Sequence, residues 1–210
     1  MANSAERMAA HTQLLKTYLP AQDKPITEVA IFELKHPQSP ETLRNFEQRI
    51  IANCQDGKGI KRMAWGFSLT DEKKLVWMLD WDKIQDHWDF WQTPAFTPVI
   101  QAIEDLFVEG RPLVRHYEFD PPGMLNQEYQ RVLIWNQENR DIAAEQVLKS
   151  NGPTTTSTSI ASNGAYAVDM DEDTWWCSNF GYTSEAEVRK DSVQDKGEAG
   201  IFKLKFSDTK

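Results

Sequence analysis

The chain has 210 residues and a mass of 24.2 kDa, enough for one large domain or two small ones with a buried core. Hydrophobic residues make up 40% and charged residues 26%, and no apolar run approaches the roughly 20 residues of a membrane-spanning helix, which excludes a transmembrane protein. The 23 Lys and Arg residues against 32 Asp and Glu residues give a net charge of -9, so the overall field repels nucleic acid.

The first predicted elements are an N-terminal arm, a strand and a helix. Residues 1–25 contain a short apolar pattern and two prolines, which indicates an arm that can hold one helix. Ile26 to Leu34 are dense in β-branched and aromatic residues and are followed by a proline, so they predict a strand. Ser39-Pro40-Glu41 then supplies a capping hydroxyl, a proline and an acid, and apolar residues continue at helical spacing to Cys54.

A hairpin, a long helix and a closing strand complete this half of the chain. Ile60 to Leu69 and Lys74 to Trp81 are strand-like, with a short polar turn between them. From Asp82 to Phe107 the apolar residues keep helical spacing, but the prolines predict that this helix is kinked or broken near Pro94. Arg111 to Phe119 is again strand-like. The order β-α-β-β-α-β is that of the ferredoxin-like fold.

The rest of the chain shows a weaker copy of the same order. Its predicted strands and helices are Tyr129–Trp135, Asp141–Lys149, Thr174–Tyr182, Ser184–Val193 and Ala199–Phe206. The missing second strand lies within or after the polar stretch Asn151–Ser162. The sequence therefore predicts an α+β fold of two ferredoxin-like βαββαβ repeats, at residues 26–123 and 124–210, preceded by the arm at residues 1–25.

The strand predicted at Lys74 to Trp81 explains why the two repeats should meet. From Leu75 to Trp81 its side chains are apolar on both faces apart from Asp80, whereas a ferredoxin-like sheet has helices on one face only. The open face therefore needs a second sheet, which the other repeat on the same chain can supply. We expect an intramolecular pseudo-dimeric α/β barrel with the helices outside, present as a monomer or a homodimer.

Three strings in the first half resemble a known family. They are Leu79-Asp80-Trp81-Asp82, Thr93-Pro94-Ala95-Phe96 and Arg115-His116-Tyr117-Glu118-Phe119. Together with the repeat pattern, they resemble the dimeric α/β barrel superfamily, which includes antibiotic-biosynthesis monooxygenases, stress-responsive A/B barrel proteins and a plant polyketide cyclase. The chain is most similar to the fungal tandem-repeat members. The resemblance covers residues 26–119 in sequence and residues 129–207 in pattern only.

The resemblance implies a flat, apolar organic ligand bound between the sheet and the helices, which some members convert without metal or flavin. Plant polyketide cyclases carry His-Pro-Ala-His in the second helix, where the second His is the base and a Tyr one turn earlier assists it. This chain has Phe96 in place of that His and Phe90 in place of that Tyr. We therefore do not expect an aldol cyclisation of that design, and the residues predict an aromatic box instead.

Glu28 and His116 are the predicted catalytic pair. The resemblance places both on the helix-facing side of their strands, and the first and fourth strands of a ferredoxin-like sheet are antiparallel neighbours, so the two side chains can touch. A carboxylate beside an imidazole fixes its tautomer and raises its basicity, which suits acid-base catalysis. The alternative is an ordinary structural ion pair at the rim of the sheet.

Seven further residues are predicted to bind the substrate, and nearly all are aromatic. They are Phe32, Trp65, Trp77, Trp81, His87, Phe90 and Phe96. Five tryptophans lie between positions 65 and 91, more than packing alone usually requires, although each by itself is typical of a core residue. His87 lies one position off the apolar stripe of its helix, so a surface or structural position is the alternative for it.

No metal or cofactor is expected. The four histidines are scattered along the sequence without the ligand spacing of a metal site, and there is no phosphate-binding glycine loop and no Gly-x-Ser-x-Gly motif. Cys54 and Cys177 lack the basic surroundings of a nucleophilic thiolate. The low cysteine content and the lack of a glycosylation motif or an apolar signal segment predict a cytoplasmic protein.

Three functions fit these features. The first is a cofactor-independent tailoring enzyme, a cyclase, isomerase or lyase, that acts on a small apolar polyketide- or terpenoid-like intermediate of secondary metabolism. The second is a cofactor-free monooxygenase of the antibiotic-biosynthesis type that acts on an electron-rich phenol or anthrone. The third is a non-catalytic barrel that binds a hydrophobic molecule in a stress response. Neither nucleic acid nor a membrane is expected as a partner.

Overall fold

The computed structural model describes residues 6, 10, 13, 23–109, 113–138, 141–150, 159–168, 174–191 and 196–209. Nearly all of the arm predicted at residues 1–25 lies outside this set. Within the described ranges, no helix combines the length and the apolar character needed to cross a membrane.

The described part of the chain forms nine β-strands in two sheets. They are β1 (Ile26–Glu33), β2 (Ile60–Phe67), β3 (Lys74–Trp81), β4 (Leu113–Tyr117), β5 (Tyr129–Asn136), β6 (Ala161–Tyr166), β7 (Trp175–Tyr182), β8 (Glu198–Lys203) and β9 (Lys205–Asp208). The first sheet has the order β4-β1-β3-β2-β9 and the second the order β6-β7-β5-β8, and the paired strands are antiparallel. The fold is therefore α+β with two antiparallel sheets.

Helices connect the strands of each sheet. They are α1 (Pro40–Phe46), α2 (Ala52–Cys54), α3 (Ile84–Phe90), α4 (Phe96–Leu106), α5 (Ala144–Ser150) and α6 (Glu185–Arg189). A π-helical turn at Glu47–Ile51 joins α1 to α2. Ser39 caps α1 as predicted, since its hydroxyl accepts a hydrogen bond from the Thr42 N–H. The predicted break near Pro94 is present and separates α3 from α4.

The two sheets pack face to face around a central core. Successive side chains of a strand point to opposite faces, so one set faces the other sheet and the next set faces the helices. In β3, Val76 and Met78 belong to the central core. Leu75, Trp77, Leu79 and Trp81 belong to the core between the first sheet and its helices. The two-sided apolar pattern of this strand is thus explained by two different cores.

Asp80, the polar exception in β3, fixes the segment that follows the first sheet. Its carboxylate accepts hydrogen bonds from the Thr27 hydroxyl at 2.6 Å and from the Met124 N–H at 3.0 Å. Burial raises the pKa of Asp80, while these two hydrogen bonds and the charge of Arg62 oppose the rise. Asp80 therefore has a structural role that joins β1 and β3 to the segment leading into the second sheet.

The closing strand is divided between the two sheets, which corrects the sequence-based expectation of one strand over Ala199–Phe206. β8 pairs with β5 in the second sheet, whereas β9 pairs with β2 in the first. The chain crosses between the sheets at Leu204, where Gly66 of β2 leaves room for it. A Cβ atom at Gly66 would lie 2.0 Å from the carbonyl oxygen of Lys203, so only glycine permits this approach.

Two isolated bridges join the two sheets. Ala167, just beyond β6, forms an isolated bridge with Tyr117 of β4. Ser68, just beyond β2, forms a second bridge with Phe202 of β8. β6 is the strand that the sequence pattern did not locate, and it begins only at the end of the polar stretch 151–162.

Candidate functional site

The candidate site lies between the first sheet and helix α3. Alternate residues of β1 face the helices, which places Glu28 on the same side as the buried Ala30 and Phe32. Glu28 is also the direct cross-strand partner of His116 on the antiparallel neighbour β4. Directly opposed residues share a face and have Cβ atoms about 4.5–5.5 Å apart, so the sheet holds the two predicted catalytic side chains next to each other.

His87 of α3 connects these two residues. Its Nδ1 atom is 2.8 Å from Nε2 of His116, and its Nε2 atom is 3.4 Å from Oε2 of Glu28. The same oxygen of Glu28 accepts a hydrogen bond from the indole N–H of Trp81 at 3.0 Å. A continuous chain of polar contacts therefore runs from Trp81 through Glu28 and His87 to His116.

The contacts of this chain are satisfied by one set of proton positions. The Glu28 carboxylate is an acceptor, so His87 presents its Nε2–H to it and keeps Nδ1 as an acceptor. His116 then donates from Nε2 to Nδ1 of His87. In this assignment Glu28 orients His87, and His87 orients His116.

The cluster is shielded from solvent. Glu28, His87 and His116 are 6%, 2% and 4% exposed. Burial, and then the proximity of His116, lowers the pKa of His87 well below its usual value, so this imidazole is neutral at physiological pH. Burial also raises the pKa of the nearby Cys54 thiol, with a further contribution from the Glu28 charge, so Cys54 is not a thiolate nucleophile.

Aromatic rings surround the imidazole of His87. The centroid of the nearer Trp81 ring is 4.8 Å away, and Trp91 stands edge-on at 4.5 Å. Phe90 lies 6.0 Å from Trp81 and 5.7 Å from Phe96, which extends the aromatic wall from α3 to α4. Charges in such surroundings are weakly screened, so each polar group of the cluster strongly affects the others.

Phe32 and Trp77 belong to a neighbouring packed aromatic cluster. The Phe32 ring is 4.2 Å from Phe107 and the Trp77 ring is 5.9 Å from Phe46. These ring contacts explain the burial of both residues by packing within the hydrophobic core. The buried indole N–H groups of Trp77 and Trp88 have no hydrogen-bond partner among the described residues.

Trp65 lines a separate open cleft of about 300 Å³ near the crossover to β9. Its indole N–H donates to Glu47 at 3.0 Å, and the same carboxylate oxygen pairs with Lys205 at 2.7 Å. Lys203, which also lines the cleft, pairs with Glu128. Of the predicted pocket residues, the structure thus groups Trp81, His87, Phe90 and Phe96 with Glu28 and His116, while Phe32, Trp65 and Trp77 lie in adjoining regions.

The structure excludes one alternative for His87 and corrects one expectation about the histidines. A surface position for His87 is excluded, because α3 is short and buried nearly all round: Ile84, Asp86, Trp88 and Phe90 are buried as well. Only Asp89 of this helix is exposed and Gln85, one turn earlier, is half-buried, so His87 lies on the opposite, buried side. Two of the four histidines that are scattered in the sequence, His87 and His116, are in direct contact in the fold. The spacing of these residues in the sequence carries no signal for that contact.

The corresponding place in the second sheet holds a different polar group. β5 and β7 pair over their full lengths, as β1 and β3 do, and this register puts Arg131 where Glu28 lies in the first sheet. Nε of Arg131 is 3.0 Å from Oδ2 of Asp191, and the Tyr182 hydroxyl donates to the same oxygen. Ile201 lies opposite Arg131, in the position that His116 has opposite Glu28.

No protein-family model and no curated protein matches the sequence. Solved structures do match the fold. An anthrone oxidase-like protein superposes with a TM-score of 0.64 at 12% identity, over 90% of this chain and 95% of its own. A proposed monooxygenase from Fusobacterium nucleatum superposes with a TM-score of 0.57 at 11% identity, over 88% of this chain and 94% of its own. Another proposed monooxygenase, from Lactobacillus acidophilus, has a TM-score of 0.55 at 8% identity, over 89% of this chain and 97% of its own.

At identities this low, the superpositions show a similarity of fold alone. The similar structures agree with the ferredoxin-like, dimeric α/β barrel type of fold that the first half of the sequence resembles. The match extends over most of the chain in each case, so it includes both sheets.

Proposed function

We propose that this protein is a cofactor-independent enzyme that transfers a proton on a small apolar substrate, in the cyclisation, isomerisation or elimination of a polyketide- or terpenoid-like intermediate. The observation that carries the proposal is the buried chain from Glu28 through His87 to His116. An ordinary structural ion pair would consist of one carboxylate and one histidine, whereas this cluster contains a second histidine. In catalytic triads a carboxylate sets the tautomer and the basicity of one imidazole. Here Glu28 acts in that way on His87, which in turn orients the terminal ring of His116.

His116 is the proposed general base. Its imidazole removes a proton from an acidic C–H or O–H group of the substrate, and Glu28 stabilises the developing positive charge through His87. His116 then returns the proton to another atom of the substrate. An isomerisation or cyclisation of this kind balances without an oxidant.

The aromatic side chains supply positioning. Trp81, Phe90 and Phe96 offer flat apolar surfaces next to the histidines, with ring centroids about 6 Å apart along the wall. A planar substrate that stacks on them loses translational and rotational freedom before the proton moves, which lowers the activation barrier. Substrates of this class are apolar and conjugated, as the wall requires.

We further infer that the functional unit is the segment 26–123, while the segment 124–210 is a tandem copy that serves as its partner sheet behind an N-terminal arm at 1–25. In support, the order of strands and helices from β1 to β4 repeats from β5 to β8, and the two sheets pack face to face. The chain would then be a pseudo-dimeric barrel of the fungal tandem-repeat type.

A cofactor-free monooxygenase is the second candidate. Solved structures of similar fold are described as monooxygenases and as an anthrone oxidase-like protein, which favours it. In this reaction His116 ionises an anthrone, molecular oxygen oxidises the resulting anion, and a CH2 group becomes a carbonyl group with the release of water. Both candidates begin with the same deprotonation.

A hydrogen-exchange assay tests that shared step. Anthrone and a set of 1,3-dicarbonyl polyketide mimics are incubated in D2O, and loss of the acidic C–H signal is followed by proton NMR. We expect wild-type protein and His36→Ala, which changes an exposed loop histidine, to accelerate the exchange, and His116→Ala to lose this effect. Oxygen uptake under the same conditions separates the two candidates. Exchange at the buffer rate with every compound would contradict the proposal.

A further inference from the structure

The side chains of the proton-transfer cluster are also metal ligands. One ligand atom from each of Glu28, His87 and His116 lies within 4.8 Å of the others, and all three residues are buried. They belong to three elements, β1, α3 and β4, so the tertiary fold rather than a local loop fixes their arrangement. We infer that they form a binding site for one divalent transition-metal ion of the zinc type.

The separations are close to those that such an ion requires. Zinc bonds to nitrogen and oxygen are about 2.0–2.2 Å long, so two ligand atoms of a tetrahedral ion lie roughly 3.4 Å apart. An imidazole gives one nitrogen to an ion, and Nδ1 of His87 lies 2.8 Å from Nε2 of His116. A set with one ligand atom from each of the three residues spans at most 4.8 Å, so the Glu28 carboxylate has to move toward the two nitrogens. Side-chain rotations that move atoms by about 1 Å bring one ligand atom of each residue into range. The ion takes the place of the proton shared by the two imidazoles.

The donor set selects the kind of ion. Two imidazoles and one carboxylate are the ligands of catalytic zinc centres and of non-haem iron centres, both of which leave a coordination position open. Calcium and magnesium prefer shells made of oxygen atoms, which two imidazoles cannot supply. The site therefore binds borderline ions such as Zn2+ and its spectroscopic substitute Co2+.

The surroundings of the cluster are those of a metal centre. Ligating carboxylates and imidazoles are usually held by further hydrogen bonds within an apolar shell, and the loss of such a bond weakens metal binding. Here the Trp81 N–H donates to Oε2 of Glu28 at 3.0 Å, and the rings of Trp81 and Trp91 flank His87. The Trp81 N–H therefore restrains the carboxylate beside the two imidazoles.

Metal binding and proton transfer exclude each other at this site. An ion bound to His87 and His116 occupies nitrogen atoms through which Glu28 acts on His116, so the metal-bound protein cannot complete the proton relay. Zinc is therefore an inhibitor of turnover. This consequence rests on the function proposed above, whereas the binding itself does not.

A cobalt titration of the full chain tests the site. Protein stripped with EDTA is titrated with Co2+, whose visible d–d absorption reports tetrahedral coordination, and Zn2+ is then added in competition. We expect a single equivalent to bind to wild-type protein and to His36→Ala, and no tetrahedral spectrum in His116→Gln. Trp81→Phe keeps the three ligands and an aromatic ring but loses the N–H, so its Co2+ affinity should fall about 10-fold or more.

Circular dichroism establishes that each variant is folded, and Trp81→Phe provides a test that does not remove a buried ligand. Folded wild-type protein that binds neither ion would overturn the inference, and so would a Co2+ spectrum that persists in His116→Gln or an affinity that is unchanged in Trp81→Phe. The spectrum requires no substrate. Cobalt binding without any turnover supports the metal site and contradicts the proposed function, whereas turnover without cobalt binding does the reverse.

Discussion

The helix-facing sides of the two sheets occupy corresponding places but bury different polar groups. In the first sheet, Glu28 lies opposite His116 and contacts His87. In the second sheet, the register puts Arg131 at the position of Glu28, and its partner is Asp191, whose side chain is fully buried. One side therefore contains a carboxylate with two imidazoles, and the other contains a closed ion pair.

The difference separates a group that holds charge from a group that can move a proton. Arginine keeps its proton at every physiological pH, so the Arg131–Asp191 pair is a fixed charge pair. Imidazole changes its protonation state near neutrality, and the contact between His87 and His116 couples two such rings. A few residues at one register position thus decide which half of a similar scaffold can carry out acid-base chemistry.

Removal of the second half should have the largest effect, because it uncovers the central core. Val76 and Met78 of β3 face that core, and β9 extends the first sheet. We expect residues 1–125 expressed alone to aggregate or dimerise. Size-exclusion chromatography with light scattering measures this, and a stable, folded monomer would show that the first sheet does not need the second.

Asp191→Ala should destabilise the protein without affecting the Glu28 cluster. The substitution removes the carboxylate that balances the buried charge of Arg131, which should lower the free energy of unfolding by about 3–5 kcal/mol. Urea denaturation followed by tryptophan fluorescence measures the loss. The matched control combines Arg131→Met with Asp191→Leu and should recover most of the stability. A loss below about 1 kcal/mol would instead be typical of an exposed pair.

His116→Ala should abolish the chemistry of the first half while leaving its fold intact. If His116 is the general base, turnover should fall by about 100-fold or more, with little change in KM. Steady-state kinetics with the substrate identified by the exchange assay measure both. Tyr182→Phe, in the second half, is the control and should keep the wild-type kcat. A normal kcat in His116→Ala, together with a large loss in Trp81→Ala, would leave positioning as the mechanism.

Much of the first sheet follows from its residues. The strand patterns, the Ser39 cap and the break near Pro94 are local signals, and the structure contains all of them. The division of the last strand between the two sheets has no such local signal in the sequence. β8 and β9 continue one alternating pattern, and only the approach of the backbone to Gly66 shows that the chain changes sheets at Leu204. Alternation predicts the two faces of a strand and carries no information about its partner.

The candidate site could be predicted only in part, for a similar reason. Glu28 and His116 are brought together by strand order and register, which a recognised fold supplies. His87 reaches them from a short helix in which five of the seven residues are buried, so the apolar stripe in the sequence is narrower than the buried face. The residue that joins the cluster was therefore the one whose position the sequence predicted least well.

Glu28→Gln should have the smallest kinetic effect and gives the sharpest test of the comparison between the two halves. Glutamine keeps an oxygen that can accept the hydrogen bond from the Trp81 N–H, but it has no charge to stabilise a protonated His116. Its amide N–H can also donate to Nε2 of His87, which would reverse the tautomers of His87 and His116. Because His116 itself remains, we expect kcat to fall about 10-fold, less than in His116→Ala, with KM nearly unchanged. Glu28→Asp keeps the charge and should retain more activity than Glu28→Gln. If Glu28→Gln matched the wild type in kcat while Glu28→Asp was impaired, the side chain would act through its shape and its hydrogen bond to Trp81, and the carboxylate would be as purely structural as that of Asp191.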